Sequence, residues 1–170
     1  VGSRGLGDVY KRQTKYWSQT SWSTIPSQFG MLTALTGDMD LSNNWFTGSL
    51  PSELGKLTLI DGSLEMDNNR LTGTIPRDLY KLSSLKRLEL QYNLLEGPVP
   101  QIFKQLSKLD EVDISYNTFL CGNASFNASV TVNLTGTLMA MYCCPAGYFW
   151  NYTSGGNYSC NACHEGTFSS

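Results

Sequence analysis

The stretch LSSLKRLELQYNLLEGPVPQIFKQ, residues 82–105, is followed at once by LSKLDEVDISYNTFLCG, residues 106–122. The two segments share one spacing of apolar residues around a single asparagine. Leu82, Leu85, Leu88, Leu90, Asn93 and Leu95 return 24 residues later as Leu106, Leu109, Val112, Ile114, Asn117 and Phe119. A fixed period of this length indicates an architecture of stacked coils, in which each coil buries its apolar side against its neighbours.

The same register extends towards the N-terminus with a period of 24–25 residues. Three sets of residues keep it: four asparagines, four dipeptides that end in proline, and three glycines. The asparagines are Asn44, Asn69, Asn93 and Asn117; the dipeptides are Ile25-Pro26, Leu50-Pro51, Ile75-Pro76 and Val99-Pro100; the glycines are Gly48, Gly73 and Gly97. Because all four asparagines share one phase, we interpret them as structural residues whose amides satisfy turn backbone groups.

Each period contains an alternating L-x-L segment such as Leu88-Glu89-Leu90, which predicts a short strand with its apolar residues inward. The whole pattern, L-x-x-L-x-x-L-x-L-x-x-N-x-L-x-G-x-I-P, resembles the plant-type leucine-rich repeat over residues 25–122. The resemblance implies a leucine-rich-repeat solenoid with a short parallel sheet on its concave side and turns and short helical segments on its convex side. We expect about four repeats, with an N-terminal cap or further repeats missing from the chain.

The outward positions of the predicted strands form two columns that are candidates for ligand binding. The first column has an acid in every repeat, and the second ends in two tyrosines, a residue type that is enriched at interfaces. With the neighbouring Arg87, the candidates are Asp40, Glu65, Arg87, Glu89, Tyr92, Asp113 and Tyr116. An alternative stays open, since an L-D-L-S-like strand is common in this repeat family and the acids then need no ligand.

The C-terminal third differs in composition, because Glu165 is the only charged residue between Ile114 and Ser170. It holds all five cysteines (Cys121, Cys143, Cys144, Cys160 and Cys163) and five N-glycosylation sequons (Asn123, Asn127, Asn133, Asn151 and Asn157). Sequons and clustered cysteines predict the secretory pathway and an extracellular or cell-surface location.

The segment CPAGYFWNYTSGGNYSCNACHEGTFSS, residues 144–170, resembles the ephrin-receptor-like cysteine-rich repeat, which implies a small disulfide-rich module. TFLCG at residues 118–122 resembles the end of a plant-type repeat array, which implies that Cys121 pairs with Cys143 or Cys144. The sequence Cys160-Asn-Ala-Cys163-His164 also fits the attachment motif of c-type haem. The flanking G-T-F-S and the sequons favour disulfide cysteines, so we expect no cofactor and no metal site.

The first residues belong to no repeat. SRGLGDVYKRQ, residues 3–13, resembles a translated sequencing-library adapter, so we exclude residues 1–13 from fold reasoning as a disordered artefact. The predicted organisation is then leucine-rich repeats over residues 14–122, truncated at their N-terminus, and a glycosylated connecting segment over 123–142. A cysteine-rich module, truncated at its C-terminus, follows over 143–170.

Charge and motif content exclude several classes of function. The formal net charge is −2 and there is no basic patch, which argues against binding nucleic acid. The single histidine, His164, lies beside cysteines that we expect to be oxidised, so no catalytic arrangement is evident and we expect no enzyme. No apolar run reaches the roughly 18 residues of a spanning helix, so membrane attachment would need a segment missing from this fragment.

We therefore expect an extracellular fragment that recognises a protein or peptide. Two alternatives stay open: the ectodomain of a membrane receptor kinase, and a structural wall or matrix glycoprotein without a specific ligand.

Overall fold

The computed structural model describes residues 24–117, 119–121, 126, 129–137, 148–152 and 158–162. Within these residues the chain winds through repeated coils, each made of a short strand, a second short strand and a 3-10 helix. No helix among them is both long enough and apolar enough to cross a membrane.

Two parallel sheets run along the coils. Sheet A has the order β1-β3-β5-β7-β9, and its strands are β1 (Met39–Asp40), β3 (Ser63–Glu65), β5 (Arg87–Glu89), β7 (Glu111–Asp113) and β9 (Thr131–Asn133). Sheet B has the order β2-β4-β6-β8, and its strands are β2 (Thr47–Ser49), β4 (Arg70–Gly73), β6 (Leu94–Pro98) and β8 (Phe119–Cys121). The predicted solenoid with a parallel sheet is confirmed, whereas sheet B was not predicted.

Four 3-10 helices complete the coils: η1 (Ser27–Met31), η2 (Ser52–Lys56), η3 (Arg77–Lys81) and η4 (Gln101–Gln105). Each begins directly after the proline of a repeated dipeptide, whose ring holds φ near the value that a first turn needs. In η2, Leu54 N–H donates to Pro51 O at 3.2 Å and Leu57 N–H to Leu54 O at 3.1 Å, the spacing of a 3-10 turn.

The core lies between sheet A, sheet B and the helices and is made of the periodic apolar residues. In one coil these residues are completely inaccessible to solvent: Leu79, Leu82, Leu85, Leu88, Leu90 and Leu95. Gly55 in η2 allows close stacking of the helices, because a Cβ at this position would collide with the backbone carbonyl of Asp78 in η3. One spine of leucines therefore holds the strands in register.

Strand β9 extends sheet A beyond the predicted end of the repeats at residue 122. It pairs with β7 through Val112 and Val132, a step of 20 residues instead of 24. Val132 and Leu134 pack partly against the core. The segment 123–142, interpreted from sequence as a connection, thus contains a strand, because V-x-L alternation can join a preformed sheet edge without the full repeat pattern.

Two further strands lie in the predicted cysteine-rich module. β10 (Tyr148–Tyr152) and β11 (Tyr158–Ala162) pair antiparallel, with Trp150 opposite Cys160. Cys143, Cys144 and Cys163 lie outside the described residues, and Cys121 and Cys160 are described as strand backbone only. The predicted disulfides stay predictions. Residues 1–23, which include the predicted adapter, also lie outside the described part of the chain.

Candidate functional site: the outward face of sheet A

The strand ends of sheet A are held by the repeated asparagines. Asn93, 4 % exposed, donates from Nδ2 to Met66 O at 2.9 Å and to Leu90 O at 3.0 Å, and its Oδ1 accepts from Leu71 N–H at 3.0 Å. Asn69 and Asn117 make the equivalent bonds in their own coils. These three buried amides join successive coils, so their polar atoms are engaged by backbone.

Asn44 differs from the other three, because it is half-buried and its Nδ2 donates to Leu41 O at 3.1 Å and to Ser42 O at 2.9 Å, both in its own coil. The four asparagines together form an amide ladder that follows the first four strands of sheet A, whereas β9 is followed by Thr137, whose hydroxyl donates to Ile114 O at 3.0 Å. That ladder determines the spacing of the outward side chains.

The predicted acid column exists as a row of directly paired strand positions. Asp40 pairs with Glu65, Glu65 with Glu89, and Glu89 with Asp113. The structure adds Asn133 on β9, opposite Asp113, as a fifth member. Like charges on adjacent strands repel one another. The hydrogen-bond and ion-pair partners of each carboxylate therefore determine whether it has a structural role or is available to a ligand.

The two aspartates of the column are engaged locally. Asp40 Oδ1 accepts from Ser42 N–H at 3.0 Å and from its hydroxyl at 2.7 Å. Asp113 Oδ1 accepts from Ser115 N–H at 2.9 Å, and its Oδ2 accepts from Asn133 Nδ2 at 2.9 Å. These are turns in which a side-chain carboxylate caps the backbone two residues on. The local engagement favours a structural role for these two acids.

The two glutamates of the column face Arg87 instead. Arg87 Nη2 lies 4.0 Å from Glu65 Oε1, and Nε lies 3.9 Å from Glu89 Oε1. Glu65 Oε1 also accepts from Ser63 Oγ at 2.5 Å. Arg87 is half exposed and both distances are near the limit for an ion pair, so this contact is weak and solvated. The strand ladder therefore brings these three candidate residues together.

Glu89 has an electrostatically unfavourable position. Partial burial, followed by repulsion from Glu65, raises the pKa of the Glu89 carboxyl above its ordinary value, while a hydrogen bond from Gln91 and the nearby Arg87 oppose the rise. The Oε1 atom of Gln91 is buried and has no hydrogen-bond partner among the described residues. The middle of the column is thus its most strained part in electrostatic terms.

The second column has one backbone conformation in every coil. Asn43, Asn68, Tyr92 and Tyr116 all have φ between 52° and 54°, and Gly136 follows in the next coil at 65°. Asparagine and glycine tolerate this left-handed region, whereas a bulky side chain pays roughly 1 kcal/mol or more to adopt it. The two tyrosines are therefore strained by the repeat itself.

Tyr92 and Tyr116 form an exposed aromatic stack. Their ring centroids are 4.3 Å apart with an interplanar angle of 7°, and the residues are 50 % and 43 % exposed. Desolvation, followed by the interaction with the Tyr116 hydroxyl, raises the pKa of Tyr92 above its ordinary value. The sequence had marked both residues, but neither their stacking nor their strain is visible in it.

Of the predicted glycosylation sites, Asn133 is the one whose side chain is described. Its Oδ1 accepts from Thr135 N–H at 3.1 Å and from Thr135 Oγ1 at 2.8 Å. Asp40 and Ser42 form the same type of turn in the first coil. Asn151 lies in β10, and Asn123, Asn127 and Asn157 lie outside the described residues. Within the described part of the chain, no group of three or more His, Cys, Asp or Glu residues could hold a metal ion.

Comparison with family models identifies the repeats. A model described as "Leucine rich repeat" matches residues 62–119, and a second model with the same description matches residues 38–57. These residues are leucine-rich repeats. No curated protein sequence matches the chain.

Solved structures of plant receptor ectodomains resemble the fold. The leucine-rich-repeat ectodomain of the Arabidopsis thaliana membrane receptor kinase GASSHO1/SCHENGEN3, in complex with CASPARIAN STRIP INTEGRITY FACTOR 2, is 29 % identical with a TM-score of 0.56; the match covers 59 % of this chain and 12 % of that one. The ectodomain of the Arabidopsis thaliana receptor kinase SOBIR1 is 26 % identical with a TM-score of 0.60, over 72 % of this chain and 68 % of that one.

A third neighbour is the Arabidopsis receptor kinase HAESA in complex with the peptide hormone IDA and the co-receptor SERK1, at 25 % identity and a TM-score of 0.51. That match covers 69 % of this chain and 24 % of that chain. The chain thus spans a small part of the GASSHO1/SCHENGEN3 and HAESA chains and about two thirds of the SOBIR1 chain.

Proposed function

We propose that this chain is part of an extracellular leucine-rich-repeat ectodomain that recognises a protein or peptide through the outward face of sheet A. The observation that supports this most is the in-register row of half-buried acids on parallel strands, with the two exposed tyrosines just beyond the ends of β5 and β7. Such a row offers an extended chain a contact at every coil, about 4.8 Å apart.

Two further observations support the proposal. One structural neighbour, the receptor kinase HAESA, is in complex with a peptide hormone, although what it binds is known of that protein alone. Sequons and clustered cysteines agree with an extracytoplasmic location. The surface candidates are Glu65, Arg87, Glu89, Tyr92 and Tyr116, whereas Asp40 and Asp113 cap their own turns.

A membrane receptor is the second candidate, because the neighbours named above are receptor kinases or their ectodomains. The competing interpretation is a secreted wall or matrix glycoprotein. Sequencing the native transcript beyond residue 170 distinguishes the two: a spanning helix and kinase motifs support the receptor, and tandem cysteine-rich repeats up to a stop codon support the matrix protein.

The proposal is tested by selecting binders from a random peptide library on the full chain produced in a secretory host. We expect the selected peptides to lose binding to the double variant Glu65→Lys and Glu89→Lys, because reversal of two adjacent charges replaces attraction with repulsion across the column. The matched control is Glu53→Lys with Glu96→Lys, which makes the same change of net charge on η2 and β6, away from sheet A.

Retained binding to the control and loss in the sheet A variant support the proposal. Equal binding to both variants, or loss in the control alone, would place recognition elsewhere on the molecule and refute it.

A further inference from the structure

The exposed stack of Tyr92 and Tyr116 is the least expected feature of the outward face. The two preceding coils have Asn43 and Asn68 at the same position, residues that fit the left-handed backbone without strain. Residues held in strained backbone conformations cluster at functional sites, so the strain supports a hypothesis of function. The Tyr92–Tyr116 pair is therefore a candidate contact for a ligand.

The order of the coils determines which residues lie on either side of the two rings. Tyr116 lies between Tyr92 and Gly136, and a Cβ on Gly136 would lie 2.7 Å from Tyr116 Cδ1, so the backbone of residue 136 packs against that ring. On the other side of Tyr92 lies the coil of Asn68, whose side-chain amide donates to Asp67 Oδ2 at 2.6 Å. Half of the Tyr92 surface is accessible to solvent and can contact a flat ligand group.

The negative charge around the Tyr92 ring indicates which type of ligand group would bind there. Residues 63–67, 87–91 and 111–115, which are three central strands of sheet A and their exits, contain five carboxylates and a single cation, Arg87. Asp113 acts electrostatically on the Tyr92 hydroxyl, and Asp67 and Glu65 act on the Glu89 carboxyl. A planar cation gains from both features, because it stacks on an aromatic ring and pairs with carboxylates at its edge.

We propose that the Tyr92–Tyr116 stack forms a subsite for an arginine side chain of an extended peptide, with Glu89, the strand partner of Asp113, as the carboxylate that the guanidinium pairs with. Asp113 stays in its own turn and contributes negative charge only. The inference rests on the function proposed above and specifies the chemistry of the ligand. Arginine fits better than lysine, whose compact and strongly hydrated ammonium lacks a planar face. An apolar aromatic side chain could stack equally well but would gain nothing from the carboxylates.

The test uses two labelled hexapeptides, hexaarginine and hexalysine, each acetylated and amidated, with affinity for the full chain measured by fluorescence anisotropy at 0.15 M salt, roughly physiological ionic strength. We expect hexaarginine to bind about tenfold more tightly than hexalysine. The double variant Tyr92→Asn with Tyr116→Asn should remove this preference while leaving the weaker, purely electrostatic binding. Asparagine is the native residue at the two preceding positions, so the variant should fold.

The variant Glu53→Lys with Glu96→Lys is again the control and should retain the preference for arginine. Shifts of the Tyr92 ring protons in NMR spectra on addition of hexaarginine provide a second measurement that a change in overall stability would not mimic.

Equal affinity for the two peptides, a preference that survives loss of both tyrosines, or no binding of hexaarginine would each overturn the inference. These results leave the proposed function standing if library peptides still depend on Glu65 and Glu89. If no library peptide depends on them, the proposed function fails separately.

Discussion

Replacing Asn93 by alanine should destabilise the repeats more than replacing Asn44, the half-buried member of the amide ladder of sheet A. The Leu71 N–H, which donates to Asn93 Oδ1 at 3.0 Å, would be left unpaired in the interior, at about 1–3 kcal/mol. Met66 O and Leu90 O each lose one donor but keep another from a neighbouring ladder asparagine, so each loss is about 0.5 kcal/mol. The sum is about 3 kcal/mol.

The measurement is urea-induced unfolding followed by circular dichroism, with Asn44→Ala as the matched control. Asn44 is half-buried and bonds only two carbonyls of its own coil in the described contacts, so its loss should amount to about 1 kcal/mol. Hydrogen exchange gives a local check, because the Leu71 amide should lose protection while the Leu95 amide, bonded to Asn117 Oδ1, keeps its own. A loss for Asn93→Ala below about 1 kcal/mol, or equal to that of Asn44→Ala, would refute the reasoning.

Two further changes test the packing of the helices and the electrostatics of the column. Gly55→Ala should lower the free energy of unfolding by about 1–3 kcal/mol despite the better helix propensity of alanine, because the added Cβ collides with Asp78 O. The control, Lys56→Ala at an exposed neighbour in η2, should leave the free energy of unfolding unchanged. A stabilising Gly55→Ala would contradict the packing argument. Glu89→Gln should raise the free energy of unfolding at pH 7, and the gain should vanish as pH falls below the ordinary pKa of a glutamate, about 4.3. The reason is that the folded-state pKa of Glu89 lies above its unfolded value, so ionisation of this carboxyl destabilises the fold as pH rises through the folded pKa. A stability gain that grows on acidification would show that the direction of the pKa shift is wrong.

Sequence periodicity was sufficient to predict the repeats and their sheet because both depend on local, repeated chemistry. An L-x-L segment such as Leu88 to Leu90 has one face to bury, and a fixed period places every such face on the same side. The phase of the asparagines likewise predicted a structural role, and the hydrogen bonds of Asn69, Asn93 and Asn117 agree with it. The column of acids followed from the same register.

Sheet B and strand β9 could not be predicted from sequence, because both depend on pairing with a neighbouring coil. The three-residue strand β2, T-G-S, has no apolar alternation, and it is a strand only because β4 lies beside it. In the same way, β9 needs the edge that β7 presents, and its 20-residue step breaks the period that sequence analysis follows. A short segment becomes a strand when a preformed edge satisfies its backbone.

By itself, the sequence determined that this chain forms stacked coils, which residues face outward, and that acids and tyrosines recur on one face. Only the tertiary structure decided which outward residues are available to a ligand. Asp40 and Asp113 point outward but cap their own turns, whereas Tyr92 and Tyr116 stack on a strained backbone with their surfaces exposed. The physical reason is that register specifies a position along a face, while hydrogen bonding and ring contacts between coils determine whether the side chain at that position is already engaged.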